Sequence, residues 1–336
     1  MQEEIICPIC KSPKVSYIST VIGYKEPGVY KVMECYECST SFIDPFKTDK
    51  RIYELIYKHS ENVIGYNRYF KYAQEVLRVK NPLEYLAESE LSYWAVYQAL
   101  RGKLLNKNSR ILEVGSGLGY LTYSLHKEGY NINGIDISAN AVESATKSFG
   151  NLFHCLNIFD ATEEYKHQFD FIVLTEVIEH VELPAEFIQC LMGMLNEKGS
   201  LLITTPNKSI KRASDTWDSD FPPVHLSWFS EKSMIKIGNK VNAIVSFIDF
   251  TEYNKKHFDI GRLKLYKTKI RNYVFDSNDN LVMKTGIANK SVVKENIKKV
   301  LSFLCSFPIL DKLLTRKEYP INRASTMAAI FTKKVN

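Results

Sequence analysis

The run Ile111-Leu112-Glu113-Val114-Gly115-Ser116-Gly117-Leu118-Gly119-Tyr120 constrains this chain more than any other feature. A short apolar strand pattern ends in glycines at 115, 117 and 119, and a helical stretch follows. A strand that feeds a glycine turn opening a helix is the first unit of a doubly wound sheet, and it places a ligand at the carboxyl edge. Glycine tolerates positive φ and lets the backbone approach a ligand closely. The third glycine stands at 119 rather than 120, so the dinucleotide spacing is not met. An acid, Glu113, precedes the turn instead. A carboxylate there does nothing for a pyrophosphate but favours a ligand carrying an ammonium and a sulfonium.

The segments after this turn alternate. Apolar strand patterns are predicted at 110–114, 131–137, 153–159, 171–175 and 200–205, with helical patterns at 118–128, 139–149 and 184–195 between them. That order implies right-handed crossovers and a parallel sheet covered on both faces, an α/β Rossmann-like doubly wound fold. Further strands are expected at 241–250 and 325–332. Before the turn, Pro82 followed by Leu83, Leu86, Leu91, Trp94, Ala95, Leu100 and Leu104 predicts one helix or two with an apolar stripe. With 45% hydrophobic and 24% charged residues, the composition excludes a disordered or fibrous chain. The 336 residues suggest about two domains. A net charge of +6 is too small to argue for nucleic acid by itself.

Two more strand ends carry acids. Asp136, followed by Ile137, lies 21 residues after Gly115, where a carboxylate can accept both hydroxyls of a ribose. Its alternative role is to cap the helix that starts at Ala139. Asp160, with Ala161, ends the third strand, where a carboxylate can take the amino group of an adenine. Acids at three successive strand ends, with no Lys or Arg placed for phosphates, describe S-adenosylmethionine rather than NAD or ATP.

On these residues the chain resembles the class I S-adenosylmethionine-dependent methyltransferases over roughly residues 105–250 plus the last strand. The resemblance implies that the last strand runs antiparallel. It also implies that Glu113, Gly115, Ser116 and Gly117 border the methionine part, Asp136 and Ile137 the ribose, and Asp160 with Ala161 the adenine, with Thr175 at the next strand end. A fold-mate without cofactor is the alternative. The following residues, Thr175-Glu176-Val177-Ile178-Glu179-His180, would place Glu176, Glu179 and His180 on one face if a helix turn begins there. This segment is similar to the ubiquinone-biosynthesis O-methyltransferases and the small-RNA terminal 2′-O-methyltransferases. In the latter a further histidine follows a Thr-Pro-Asn segment. Here Thr205-Pro206-Asn207 is followed by His225, which by resemblance is a fourth ligand or a base. Two readings therefore stand. In one, Mg²⁺ on Glu176, Glu179, His180 and His225 acidifies an acceptor hydroxyl; in the other, His180 or His225 takes the proton without a metal.

The N-terminus carries Cys7-Pro8-Ile9-Cys10 and Cys35-Tyr36-Glu37-Cys38. Two such knuckles complete a four-thiolate structural zinc site, with the 24 residues between them suited to a β-hairpin. Two disulfides are the alternative, in an oxidising compartment. Lys11 and Ser39 stand where a knuckle often has glycine. The remaining cysteines, Cys155, Cys190 and Cys305, read as core thiols.

The expected organisation is a zinc ribbon at 1–46, a helical linker or lid at 47–107, and a methyltransferase core at 108–253 and 323–336. An insertion at 254–322 would form a substrate lid. Tyr53, Tyr57, Tyr66, Tyr69, Phe70 and Tyr72 with Lys58, Arg68 and Lys71 either pack ribbon to core or stack on a ring. Lys255, Lys256, Arg262, Lys264, Lys267, Lys269 and Arg271 form a solvated face or meet a polyanion. Val300, Leu301, Phe303, Leu304 and Phe307 pack, or rest on a membrane surface. No apolar run approaches the roughly 18 residues of a membrane span, and the start lacks a secretory pattern, so a cytoplasmic enzyme is expected. The Pro222-Pro223-x-His225-Leu226-Ser227 pattern resembles bacterial sugar and polysaccharide methyltransferases. A sugar-containing small molecule or glycan precursor is the expected acceptor, with O-methylation ahead of sugar C-methylation. An RNA methyltransferase or a non-catalytic RNA-binding module is the less favoured reading.

Overall fold

The computed structural model describes residues 5–59, 61–63, 65–102, 105–211, 221–265, 272–282, 292–305 and 307–334. It begins with antiparallel strands β1 (Val15–Ile22), β2 (Val29–Cys35) and β3 (Ser41–Asp44). Helices α1 (Lys50–Lys58), α2 (Asn67–Glu75), α3 (Pro82–Ser89) and α4 (Leu91–Gly102) follow. The alternating part then runs β4 (Arg110–Val114), α5 (Tyr120–Lys127), β5 (Asn131–Asp136), α6 (Ala139–Phe149), β6 (Phe153–Cys155), β7 (Phe169–Thr175), α7 (Pro184–Met194) and β8 (Leu195–Pro206). Next come β9 (Ser227–Trp228), α8 (Glu231–Lys240), β10 (Ala243–Phe247) and α9 (Thr251–Lys256). The chain closes with α10 (Val292–Leu304), α11 (Pro308–Leu314) and β11 (Thr326–Lys333).

Seven strands form one sheet in the order β10-β11-β8-β7-β4-β5-β6. Strands β6, β5, β4, β7 and β8 are mutually parallel, and β11 enters antiparallel between β8 and β10. Side chains alternate across the strands. Leu112, Ile172, Leu174, Leu201 and Ile203 meet α7 and α8 on one face. Ile111, Phe171, Val173 and Leu202 meet α3, α4 and α5 on the other. Both faces are therefore dry, as a parallel sheet requires.

Local chemistry sets the element ends. Gly119 adopts φ +79°, so α5 starts at Tyr120 rather than at 118. Glu90 is extended and splits the apolar stripe of 82–104 into α3 and α4, while Leu104 lies outside the described residues. Ser138 caps α6, accepting from the Ala141 amide, so Asp136 does not have that job. The expected strand at 153–159 stops at Cys155, and the chain turns there. The expected strand at 241–250 is shorter too, because the chain turns before α9.

The N-terminal strands do not form a separate layer. A second sheet runs β1-β2-β3-β9, and β9 comes from the far side of the chain. Cys7, Ile9, Met33, Cys35, Cys38 and Phe42 belong to the same apolar cluster as the α7–α8 face of the large sheet. Part of the Lys-rich stretch is also structural: Arg262 is fully buried with Asp311 at 3.1 Å, and Lys256 pairs with Glu88 at 2.6 Å. Lys267, Lys269 and Arg271 lie outside the described residues. Among the described residues no helix is long and apolar enough to cross a membrane.

Because Phe42 is 2% exposed inside the shared cluster, Phe42→Ala should cost about 3–5 kcal/mol. Urea unfolding should remain a single transition with a lowered midpoint. A separate early transition for the N-terminal strands would contradict the shared core.

Candidate active site

A cavity of about 1200 Å³ opens at the carboxyl ends of β4, β5 and β7. Its floor is the glycine turn. Gly115 has φ +75° and Gly117 φ +50°, conformations that side chains rarely adopt. A Cβ on Gly115 would stand 2.4 Å from the Val177 side chain, so the turn also needs glycine for space. Asp136 ties this turn to β5: its two carboxylate oxygens accept from the Gly117 amide at 2.8 Å and the Ser138 amide at 2.9 Å. Ser116, Ile137 and Ser138 line the cavity beside it.

Glu113 is 3% exposed, and its carboxylate accepts from the Thr122 hydroxyl. Burial raises its pKa from an ordinary 4.5 to about 8, with a smaller push from the Asp136 charge and an opposing pull from Thr122. At neutral pH the group is thus mostly protonated, poised to ionise against a cation.

The third strand end differs from the expectation. Since β6 stops at Cys155, the edge falls at Leu156, Asn157, Ile158 and Phe159, which line the cavity. Asp160 is exposed and Ala161 buried, and neither is among the lining residues. Asn157 is the polar group in place there. The apolar run Ile158-Phe159 hid it, because it reads as a continuation of the strand.

Past Thr175, Glu176 takes φ +54°, and only Ile178–His180 coil, as a single 3₁₀ turn. Glu176 therefore leaves the expected shared face, and its carboxylate accepts from Ser92 on α4 at 2.9 Å. Glu179 is fully buried and accepts from Thr205 at 3.0 Å. His180 lies with its Nε2 4.0 Å from a Glu179 oxygen, and its Nδ1 donates to the Val224 carbonyl at 2.7 Å. That bond selects the tautomer whose Nε2 carries the lone pair. His225 packs edge-on against His180, with ring centroids 4.6 Å apart. Burial lowers the His225 pKa to about 3, so it is neutral at pH 7. Ligand atoms of Glu179, His180 and His225 lie within 4.8 Å of one another, and Glu176 is not part of that group. One carboxylate with two imidazoles suits a divalent ion that accepts nitrogen, such as zinc or iron, better than Mg²⁺, which prefers oxygen.

Residues from outside the alternating part close the cavity. Tyr53, Tyr66, Tyr69 and Phe70 line it from α1, α2 and the segment between them, and Asp259, Arg316 and Tyr319 from the 254–322 insertion. Tyr72 instead packs edge-to-face beneath Tyr120 and against Tyr93, and these last two also line the cavity. Arg68, at 3.1 Å from Glu90, is a lining cation that sequence reading placed only in an aromatic run.

The four N-terminal cysteines converge, their Sγ atoms lying within 4.8 Å of one another, and all are free thiols. Among the described residues no disulfide joins any cysteine. Lys11 (φ +60°) and Ser39 (φ +56°) hold the left-handed turn that glycine usually supplies after a knuckle. Hydrogen bonding from Cys7 pulls the Cys38 thiol down, while burial pushes the Cys10 thiol up.

The Glu113 shift has a measurable consequence. Its folded pKa lies above the unfolded one, so the folded state keeps a proton that the unfolded chain gives up. The stability it contributes is fully present below about pH 4.5 and is lost as pH rises through about 8. Glu113→Gln should remove that decline, read as urea midpoints at pH 5 and 8. An unchanged difference would show that Glu113 is not the group responsible.

Residues 85–243 match the family model described as a methyltransferase domain. The mouse mitochondrial ubiquinone biosynthesis O-methyltransferase is 38% identical over 108 residues, 30% of this chain and 29% of that protein. The ubiquinone biosynthesis O-methyltransferase of Neisseria meningitidis is 30% identical over 128 residues, 36% of this chain and 51% of that protein. The chain thus spans about a third to half the length of these relatives. A solved S-adenosylmethionine-dependent methyltransferase from Archaeoglobus fulgidus superposes with TM-score 0.45 at 13% identity, covering 71% of this chain and 92% of that one. Residues 85–243, which hold the glycine turn and the parallel strands, are thus an S-adenosylmethionine-dependent methyltransferase domain, similar to that of the ubiquinone-biosynthesis enzymes.

Proposed function

We propose that the protein moves the methyl group of S-adenosylmethionine to a hydroxyl of a small-molecule acceptor. One observation carries this reading: the glycine turn with Asp136 and the Glu179–His180–His225 cluster line the same cavity. A volume of about 1200 Å³ exceeds what one drug-sized ligand needs, leaving room for donor and acceptor side by side. In this arrangement Asp136 and Ile137 take the ribose and Asn157 the adenine edge. Glu113, with Gly115, Ser116 and Gly117, borders the methionine ammonium, Arg68 supplies the cation its carboxylate needs, and Thr175 lies at the next edge. The acceptor hydroxyl points to His180 Nε2, which takes the proton as the methyl leaves sulfur in line. Such proton removal contributes typically ~10²–10⁴-fold.

Among the described lining residues seven are carboxylic acids (Glu54, Glu90, Glu113, Asp136, Glu176, Glu179 and Asp259) against three cations (Arg68, Lys211 and Arg316). A polyanion such as RNA would meet net repulsion there, which favours a small, largely uncharged acceptor. Tyr53, Tyr66 and Tyr69 offer flat faces for its ring. The relatives named for ubiquinone biosynthesis support a small ring bearing hydroxyls, whereas a sugar or glycan acceptor draws no support from them.

The donor sets also fit metals. When bound at Glu179, His180 and His225, a divalent ion would lower the pKa of a coordinated hydroxyl. Four clustered thiols suit a closed zinc shell that leaves no open position for chemistry.

Two variants test the two halves of the cavity. Asp136→Ala should weaken S-adenosylhomocysteine binding by about 10–100-fold in calorimetry, since a hydrogen bond to a charged group contributes about 1.5–3 kcal/mol. Unchanged affinity would overturn the ribose assignment. His180→Ala should keep that affinity and lose transfer of labelled methyl to a panel of catechols, phenols and sugars by about 10²-fold or more. Full activity in this variant would remove His180 from the chemistry.

A further inference from the structure

The second cysteine knuckle is wired to the histidine pair. The Cys38 carbonyl accepts from the hydroxyls of Ser230 (3.2 Å) and Ser233 (3.1 Å). Thr40, two residues on, donates its hydroxyl to Ser233 at 2.8 Å. Ser230 and Ser233 form the capping box that starts α8, so the first turn of that helix is seated on the knuckle. All four of these groups are buried.

From Ser230 the chain runs back through β9 to His225. Strand β9 pairs with β3, Ser41 opposite Trp228 and Phe42 opposite Ser227. The Ile43 amide donates to the Leu226 carbonyl at 3.0 Å, and the Leu226 amide donates to the Glu179 carbonyl at 2.8 Å. Val224 accepts from His180 on the other side of His225. The segment 224–230 is thus clamped between the knuckle and the turn that carries Glu179 and His180. Hydrogen bonds reach from one to the other without a gap.

We propose that the four-cysteine module is a positioning element for the transfer site. With a metal on its thiolates the knuckle fixes Ser230 and Ser233, and the strand they anchor sets where His180 and His225 meet. Without the metal the knuckle loses the binding energy that tightens it and loosens locally on the shared apolar cluster, segment 224–230 slackens, and the histidine pair loses its geometry. The glycine turn, held by β4, β5 and Asp136, is unaffected. This deepens the reading of that pair as the site of transfer. It makes metal supply a control on turnover rather than on donor binding.

The test follows amide hydrogen exchange by mass spectrometry in the full-length protein, as purified and after zinc removal with a mercurial and chelator. S-adenosylhomocysteine binding is measured alongside by calorimetry. The expected result is loss of protection at 39–46 and 222–230 with protection at 111–119 and homocysteine-nucleoside affinity retained, and recovery on adding Zn²⁺. Retained protection at 222–230 in the zinc-free protein would overturn the proposal. Ser233→Ala, which keeps all four thiols and should keep zinc, guards against general unfolding. It is expected to raise exchange at 222–230 and lower methyl transfer without changing donor affinity. No increase in exchange there would overturn the coupling even if stripping zinc unfolds the chain. Protein that binds no zinc would refute the metal's part, and absent S-adenosylhomocysteine binding would instead sink the cofactor reading.

Discussion

A parallel sheet buried on both faces admits almost nothing but apolar side chains along its strands, so chemistry must collect where the strands stop. Here β4, β5 and β7 run out at one edge, and Glu113, Asp136 and Glu176–His180 stand there. The hydrogen-bonded interior holds these ends rigidly in register, with Val114 opposite both Ile135 and Leu174. Each polar group is consequently delivered to the cavity by a strand that cannot shift. The positive φ values at Gly115, Gly117 and Glu176 are the local accommodation to that edge: the chain must turn at once to leave the sheet.

Burial then decides what these groups can do. Glu113 and His225 are both removed from water, and each is driven toward its neutral form, the acid upward and the imidazole downward. With Glu113 neutral at rest and further acidic side chains around it, the cavity complements a ligand that brings its own positive charge. The same desolvation makes His225 a holder of a lone pair rather than of a proton. His180 is distinguished by the backbone carbonyl that fixes its tautomer.

Much of this was legible because periodicity and glycine spacing are local. The strand–turn–helix at 111–120, the paired knuckles and the acids at 113 and 136 depend only on neighbouring residues. The failures have a common cause. Nothing local marks Cys155 as the last paired residue of β6, which depends on its neighbour β5, so the sequence points to Asp160 where Asn157 lines the cavity. Helical spacing pairs Glu176 with Glu179, but Glu176 is itself left-handed and the spacing breaks there. Arg68 and Ser92 reach the site from helices that precede the sheet, and their placement follows from tertiary packing that no spacing records.

The small N-terminal sheet borrows its outer strand from a distant part of the chain: Phe42 pairs with Ser227, a separation of 185 residues. A nascent chain emerging from the ribosome would therefore carry the cysteine hairpin with one edge bare until the 185 residues from Phe42 to Ser227 had been made. Its closing contact is among the most non-local in the molecule, the kind that is acquired late and slowly. Assembly order is thereby built into the architecture, since the last strand to reach the hairpin is the one that follows His225.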